Sequence, residues 1–340
     1  MSEPSRRFGV VLSTAVGLLA VCVYFSLSYG MLELSFIDVV LSLLGLAASP
    51  ETDLLIFQFR LPRIISAALV GCGLGIAGTV LQGVSRNGLA DPGILGINAG
   101  AGLAIVLFMF FFQGSFAAGS WLWLLALPLF GLIGGIAAAL LTYVLARSGG
   151  RLESQRFLLT GIALGSGFAA LTIYFSLKMN PADFQTVTNW TLGSLLYANW
   201  HYIAAVIPWF LLLLPLVWRK AAILDLFQLE ESSVKSLGLR VGREQALLLL
   251  AGTGLVGAAV AIAGSIGFVG LIVPHVARRL AGLHHERVIP LSAVLGALLV
   301  VLADFIAKNA FAPVEIAVGV VISLIGVPYF VYLLFQRQHA

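Results

Sequence analysis

The chain has 340 residues; 60 % are hydrophobic, only 10 % are charged, and the net charge is +4. A soluble domain is roughly half apolar and a quarter charged, so this composition excludes a water-soluble globular protein. The slight basic excess does not point to nucleic acid, because its distribution along the chain has another explanation.

A membrane-crossing helix needs about 20 apolar residues. The sequence predicts nine crossings in chain order: Phe8–Tyr29, Leu61–Gly83, Gly93–Phe112, Trp121–Ala146, Phe157–Leu177, Tyr202–Trp218, Gln245–Ala263, Val288–Ile306 and Val314–Phe335. Arg6 and Arg7 imitate the charged start of a signal peptide, but the run after them is long enough to span and many spans follow. Cys22 and Cys72 sit inside apolar runs and read as reduced, buried small residues. Glycines gather in the second run (Gly71, Gly73, Gly75, Gly78) and in the fifth (Gly161, Gly165, Gly167). Two readings are open for the fifth: close helix packing through small faces, or a pathway wall that leaves room for a bulky solute.

Cytoplasmic loops collect Lys and Arg. With the N-terminus inside, the inner side holds Arg6, Arg7, Arg86, Arg147, Arg151, Arg156, Arg219, Lys220, Lys235, Arg240, Arg243, Arg278, Arg279, Arg287 and Arg337. The outer side holds only Arg60, Arg63, Lys178 and Lys308. This split fixes a topology and accounts for the basic excess.

It also raises a problem at GSIGFVGLIVPHVARR (264–279). Arg243 and Arg278 both belong inside, and 34 residues separate them. As helix these reach about 50 Å, too long for one crossing of a ~30 Å core and too short for two. The expected solution is one full span, a turn at Gly264 and Gly267, and a short return helix carrying Pro274 and His275. Irregular backbone at that depth must be buried in protein or line a water-filled cavity. The return helix makes ten spans, with both termini inside. GCGLGIAGTVLQG (71–83) and GTGLVGAAVAIAG (252–264) also align, and would run in opposite directions as in an inverted repeat; chance similarity between glycine-rich helices is the other reading.

The chain has no GxxxxGK[ST] motif, and none of its four lysines follows a glycine, so it is not expected to be its own ATPase. No HExxH, cysteine cluster or GxSxG occurs. His284 and His285 lack a nearby third ligand and read as a solvated loop pair, not a metal site. The apolar spans are almost uncharged, which favours a wall around a passage over a catalytic centre.

Three stretches carry a resemblance: FRLPRIISAALVGCGLGIAGTVLQGVSRNGLADPGILGINAGAG (59–102), WTLGSL (190–195) and GSIGFVGLIVPHVARRLAGLHHERVIPLS (264–292). They resemble the FecCD family of ABC importer permeases, which serve iron–siderophore, haem and cobalamin uptake. The resemblance covers nearly the whole chain. It implies an all-α polytopic fold of about ten transmembrane helices, the type II importer permease fold, in one permease domain (1–340).

It further implies that residues 223–244 form paired short helices seated on a separate ATPase, with Leu229, Glu231, Leu237 and Gly238 matching the family pattern. Glu230 and Val234 depart from that pattern, implying a bulkier and more acidic contact surface. The open alternative is an amphipathic loop lying on the membrane. Arg60, Arg63 and Lys308 match positions that dock an extracytoplasmic substrate-binding protein through salt bridges. Snorkelling of the arginines and an Asp304–Lys308 pair at i, i+4 are the competing readings. Gly88 stands where the family often has proline, and of a frequent D-H-R only the middle residue, His285, is in place. The implied partners are an ATPase dimer, the binding protein, a second permease copy or paralogue, and the lipid of a bacterial cytoplasmic (inner) membrane. No cofactor is implied on this chain; ATP-Mg would sit on the ATPase. The implied cargo is a ferric siderophore first, then haem or cobalamin. The rivals from other classes are an ion-coupled secondary transporter, which calls for charged or sodium-binding groups at mid-membrane, and a membrane enzyme.

Overall fold

A computed structural model describes residues 3–30, 32–46, 49–93, 95–112, 121–148 and 151–337. α1 (Glu3–Ser28) runs along the periphery. Two short helices follow: α2 (Phe36–Leu43), whose N-cap Ser35 forms a capping box with Asp38, and α3 (Pro50–Leu54). A π-helical turn, Leu55–Arg60, leads without a break into α4 (Leu61–Ser85). The chain continues through α5 (Ile97–Phe111) and α6 (Trp121–Ala146) to a two-residue antiparallel pair, β1 (Arg147–Ser148) and β2 (Arg151–Leu152). Then come α7 (Ser154–Ser176), α8 (Pro181–Thr191), α9 (Trp200–Arg219), α10 (Ala221–Leu226) and α11 (Glu231–Ser236). α12 (Val241–Ala263), α13 (Val269–Ala281), α14 (His285–Asn309) and α15 (Val318–Arg337) complete the bundle.

Seven helices among the described residues are long and apolar enough to cross a membrane, and two apolar helices are shorter, Ile97–Phe111 and Val318–Leu333. The nine expected spans are thus seven long and two short. The third begins at Ile97 and not at Gly93, because Asp91 accepts the Gly93 N–H (2.8 Å) and Gly96 takes φ +75°, holding the segment as a turn. The ninth begins at Val318, four residues later than expected from Val314.

α4 and α12 are the innermost helices, while α1 and α7 are largely exposed. The α4 glycines explain how one helix can touch so many others. Gly71 lies directly against the backbone of Gly296 in α14, Gly75 against Ser292 O, and Gly78 against Gly270 in α13. These positions repeat at i, i+4 and i+7 and form one face, and a methyl group on any of them would collide with backbone. α12 packs on α4 in the antiparallel sense: Gly73 faces Leu255, and further along α4 Val80 faces Gly252. The two aligned glycine-rich segments are therefore neighbours of opposite direction.

Charge segregates along the bundle. Arg7, Arg279 and Arg287 border one cavity, and Arg86 and Arg278 border another beside it. Arg60, Arg63 and Lys308 occupy the far ends of α4 and α14.

Candidate functional site

At the arginine-rich end, α10 and α11 form a bracket between α9 and α12. Leu224, Phe227 and Val234 are fully buried. Leu224 contacts Gly83 of α4, where a side chain would meet both Leu224 and the His285 ring. The opposite face carries exposed Leu229 and Leu237 with exposed Glu230. Val234 therefore points into the bundle and cannot enlarge an outer contact surface; only Glu230 makes that surface more acidic. Glu231 opens α11, but its side chain lies outside the described residues. Gly238 turns the chain at φ +82° with open space around it. Lys220 Nζ bonds Glu244 Oε2 at 2.8 Å and clamps the start of the bracket to α12.

The bracket is also joined to α14. Asp225 Oδ1 accepts the His285 backbone N–H at 2.9 Å and lies 2.6 Å from His285 Nδ1. Gln228 Nε2 donates to Leu283 O at 3.3 Å. The expectation of a solvated histidine pair is corrected here: His284 is exposed, but His285 is 3 % exposed and locked to Asp225. Asp225 was missed in the sequence because an acid capping a helix sixty positions away leaves no local pattern. Among the described residues no group of three metal-ligating side chains occurs.

At the other end Arg60 is only 5 % exposed, and its guanidinium donates to the carbonyls of Leu27 and Leu32. Arg63 grips Asp304 through Nε and Nη2 (3.0 Å each to Oδ1) and Glu315 through Nη1 (2.8 Å). Asp304 is thus held by Arg63, in place of the i, i+4 pair with Lys308. Lys308, partly exposed, donates instead to Tyr29 O at 3.3 Å. Glu315, a second partner for Arg63 across the α14–α15 connection, was not foreseen.

Between the ends, α12 breaks off at the expected glycine and a short helix, α13, follows after a non-helical stretch. α12 stops at Gly264, which adopts φ +69° with ψ −158°, a conformation open essentially to glycine. The second left-handed residue is Phe268 (φ +67°), not Gly267. Residues 264–267 are non-helical and lead into left-handed Phe268, and Gly270 reaches Gly78, two-thirds of the way along α4. α13 (Val269–Ala281) starts only after this non-helical stretch, with Phe268 as its N-cap.

Pro274 lies inside α13, and having no N–H it leaves the Gly270 carbonyl without its intrahelical donor. Gln82 Nε2 supplies that donor at 3.1 Å, while Gln82 Oε1 accepts from Arg278. The extended stretch is packed onto the WTLG turn. Gly264 lies against Trp190 O, Gly193 (φ +77°) against Ser265 O, Gly319 N donates to Gly193 O (2.9 Å), and Asn98 Nδ2 donates to Ile266 O (3.2 Å). All three segments singled out by resemblance therefore meet here. A groove of about 570 Å³ opens beside them, bordered by Thr191, Ser265, Gly267 and the Ser323 face of α15. Gly161 and Gly165 pack against Gly96 backbone, as the close-packing reading has it, whereas Gly167 faces open space on exposed α7.

The sequence pattern of the FecCD transport family matches residues 18–336. The iron-uptake system permease protein FeuC of Bacillus subtilis (strain 168) is 47 % identical over 323 residues, 95 % of this chain and 96 % of that protein. The iron(3+)-hydroxamate import system permease protein FhuG of the same strain is 45 % identical over 338 residues, 99 % of this chain and all of that protein. An inward-facing structure assigned as a metal-chelate type ABC transporter superposes with a TM-score of 0.82 at 30 % identity, covering 96 % of this chain and 99 % of that one.

Proposed function

The chain belongs to the FecCD transport family and is a permease of the ABC importer kind; from that premise we propose that it moves a ferric siderophore inward by alternating access. The observation that carries this reading is the α10–α11 bracket. One face is buried and joined to α14 through Asp225, and the other presents Leu229, Glu230 and Leu237 to a partner. A separate ATPase dimer, holding ATP-Mg, seats on that face with Glu231 and Gly238 in the contact. Closure of the ATPases pulls the bracket, and through Asp225 it pulls α14. Such a two-state element, biased from both ends, is what coupled transport requires.

The arginine-rich end is cytoplasmic under the positive-inside bias. On this reading the chain crosses a bacterial inner membrane ten times, α13 completing the return crossing, with both termini inside. The extracytoplasmic binding protein docks on the end bearing Arg60, Arg63 and Lys308. Lys308 is the cation placed to meet an acidic partner, and the two arginines hold the surface in shape through their internal bonds. The passage lies between two permease copies, or this chain and a paralogue, along exposed α7 and the groove at Gly264–Gly267. Gly167 lines it, and Gly161 and Gly165 set the position of α7 against the Gly96 turn. Haem and cobalamin are the alternative cargoes. The ion-coupled rival wants charges at mid-membrane, whereas the ion pairs here lie at the helix ends.

The test is energy-dependent uptake by cells with and without the protein, offered labelled iron on hydroxamate, catecholate and citrate carriers, labelled haem and labelled cobalamin. Uptake of one siderophore that needs the protein and is lost in Glu231→Arg supports the reading. Uptake that survives ATP depletion and collapses with the ion gradient overturns it.

A further inference from the structure

Apart from the docking faces and the groove, a cavity of about 510 Å³ opens between the start of α1, the end of α13 and the start of α14. This volume lies in the range of about 300–1,000 Å³ seen for ligand pockets. Arg7, Arg279, Arg287 and His284 line it, with Phe8 and Leu280 as its apolar part. No carboxylate is among the described residues that line it. His284 has Asp225 on its other side, at 3.6 Å. Gly282 (φ +87°) reverses the chain between α13 and α14, which brings Arg279 and Arg287 to the same opening.

Cations gathered round one concavity repel one another, and an anion placed among them turns that repulsion into attraction. Guanidinium groups suit a phosphate in particular, since their forked donors match its oxygens in pairs. The setting selects the carrier of that phosphate. α1 is the peripheral helix, and beyond the cavity the side of it turned away from the bundle leaves Val10, Leu18 and Val21 exposed. A headgroup in the cavity could lay its acyl chains along that face. Basic pockets between helices at the cytoplasmic end of a membrane protein take anionic headgroups in this way.

We propose that this cavity binds the phosphate of an anionic phospholipid from the adjoining leaflet, fixing α1 to the α13–α14 turn. The proposal depends on the chain spanning a membrane and is independent of its cargo.

The experiment titrates the purified full-length protein with phosphatidylglycerol, phosphatidylcholine, glycerol phosphate and inorganic phosphate, counting bound molecules by native mass spectrometry. Phosphatidylglycerol should bind tightest, and Arg279→Gln/Arg287→Gln should weaken it on the order of thirtyfold while leaving phosphatidylcholine unchanged. Equal binding of the two lipids to the unmodified protein overturns the proposal without recourse to any variant. Inorganic phosphate binding as tightly as phosphatidylglycerol assigns the cavity to a soluble anion and overturns the lipid reading. A double variant that keeps its lipid but no longer captures the ATPase makes the cavity a protein contact, which also overturns it.

Discussion

Asp225 and His285 are joined twice: one carboxylate oxygen takes the backbone N–H of His285 at 2.9 Å and stands 2.6 Å from its ring Nδ1. A residue of the α10–α11 bracket thereby caps α14, whose own N-cap, His284, makes no side-chain capping bond. Asp225→Ala is expected to cost about 1 kcal/mol of stability, the usual worth of a helix cap. Its larger effect should be on coupling, with ATPase capture retained and uptake lost. Parallel measurement of copurified ATPase and of uptake checks this, and normal uptake would remove Asp225 from the transmission path.

Gln82 substitutes for the donor that Pro274 lacks. Gln82→Leu should destabilise the protein by about 1–3 kcal/mol, because the Gly270 carbonyl is then buried without a partner. Pro274→Ala restores an N–H to the helix and should recover part of that loss. Thermal unfolding of the two single variants and the double reads the interaction directly; strictly additive effects would mean that the two residues do not share the carbonyl.

The α4 and α7 glycines should separate into structural and functional classes. Gly71→Ala drives a methyl group into the Gly296 backbone and is expected to cost about 1–3 kcal/mol or more. Gly167→Ala has open space and should change stability by no more than about 0.5 kcal/mol. Gly167→Trp should leave the melting temperature in place and obstruct uptake. Undiminished uptake by that variant would take Gly167 out of the passage.

Arg63→Gln strips the buried Asp304 of its partner, and losing one member of a buried pair costs about 3–5 kcal/mol. Arg63→Gln/Asp304→Asn should recover most of this, as judged by thermal unfolding. Lys308→Gln, which adds no carboxylate beside Asp304 and Glu315, should cost little stability and weaken capture of the binding protein, with a salt dependence that flattens relative to wild type. Weakened folding with intact capture would make Lys308 structural.

The exposed leucines of the bracket give a direct test of its outer face. Leu237→Asp should abolish ATPase copurification without changing the melting temperature, since the side chain is 63 % exposed. Retained ATPase would place the docking surface elsewhere.

The long helices were legible in the sequence because length and apolarity report them independently of partners. The break between α12 and α13 was legible too, since the glycines and proline of 264–274 do not suit one continuous helix. The short fifth and fifteenth helices were overestimated at their starts, where turn hydrogen bonds at Asp91 and the connection after Val314 override apolar composition. What stayed hidden depends on pairing across large sequence separations. Asp225 with His285, Arg63 with Glu315 and Gln82 with the Gly270 carbonyl each look unremarkable in their own segment. Placing Val234 on an outer surface failed for a related reason: a six-residue helix has too few positions for periodicity to show which face is buried.

Around the break between α12 and α13, residues 190–193, 264–266 and 319 touch mainly through main chain, with the Trp190 and Ile266 side chains beside them. A side-chain contact can slide by changing rotamer, whereas contacts between glycines and carbonyls have no such slack. α8, the end of α12 and the start of α15 are therefore welded into one plate. The residues that border the groove belong to that plate, so the groove keeps its width when the plate moves and closes only against something brought up to it.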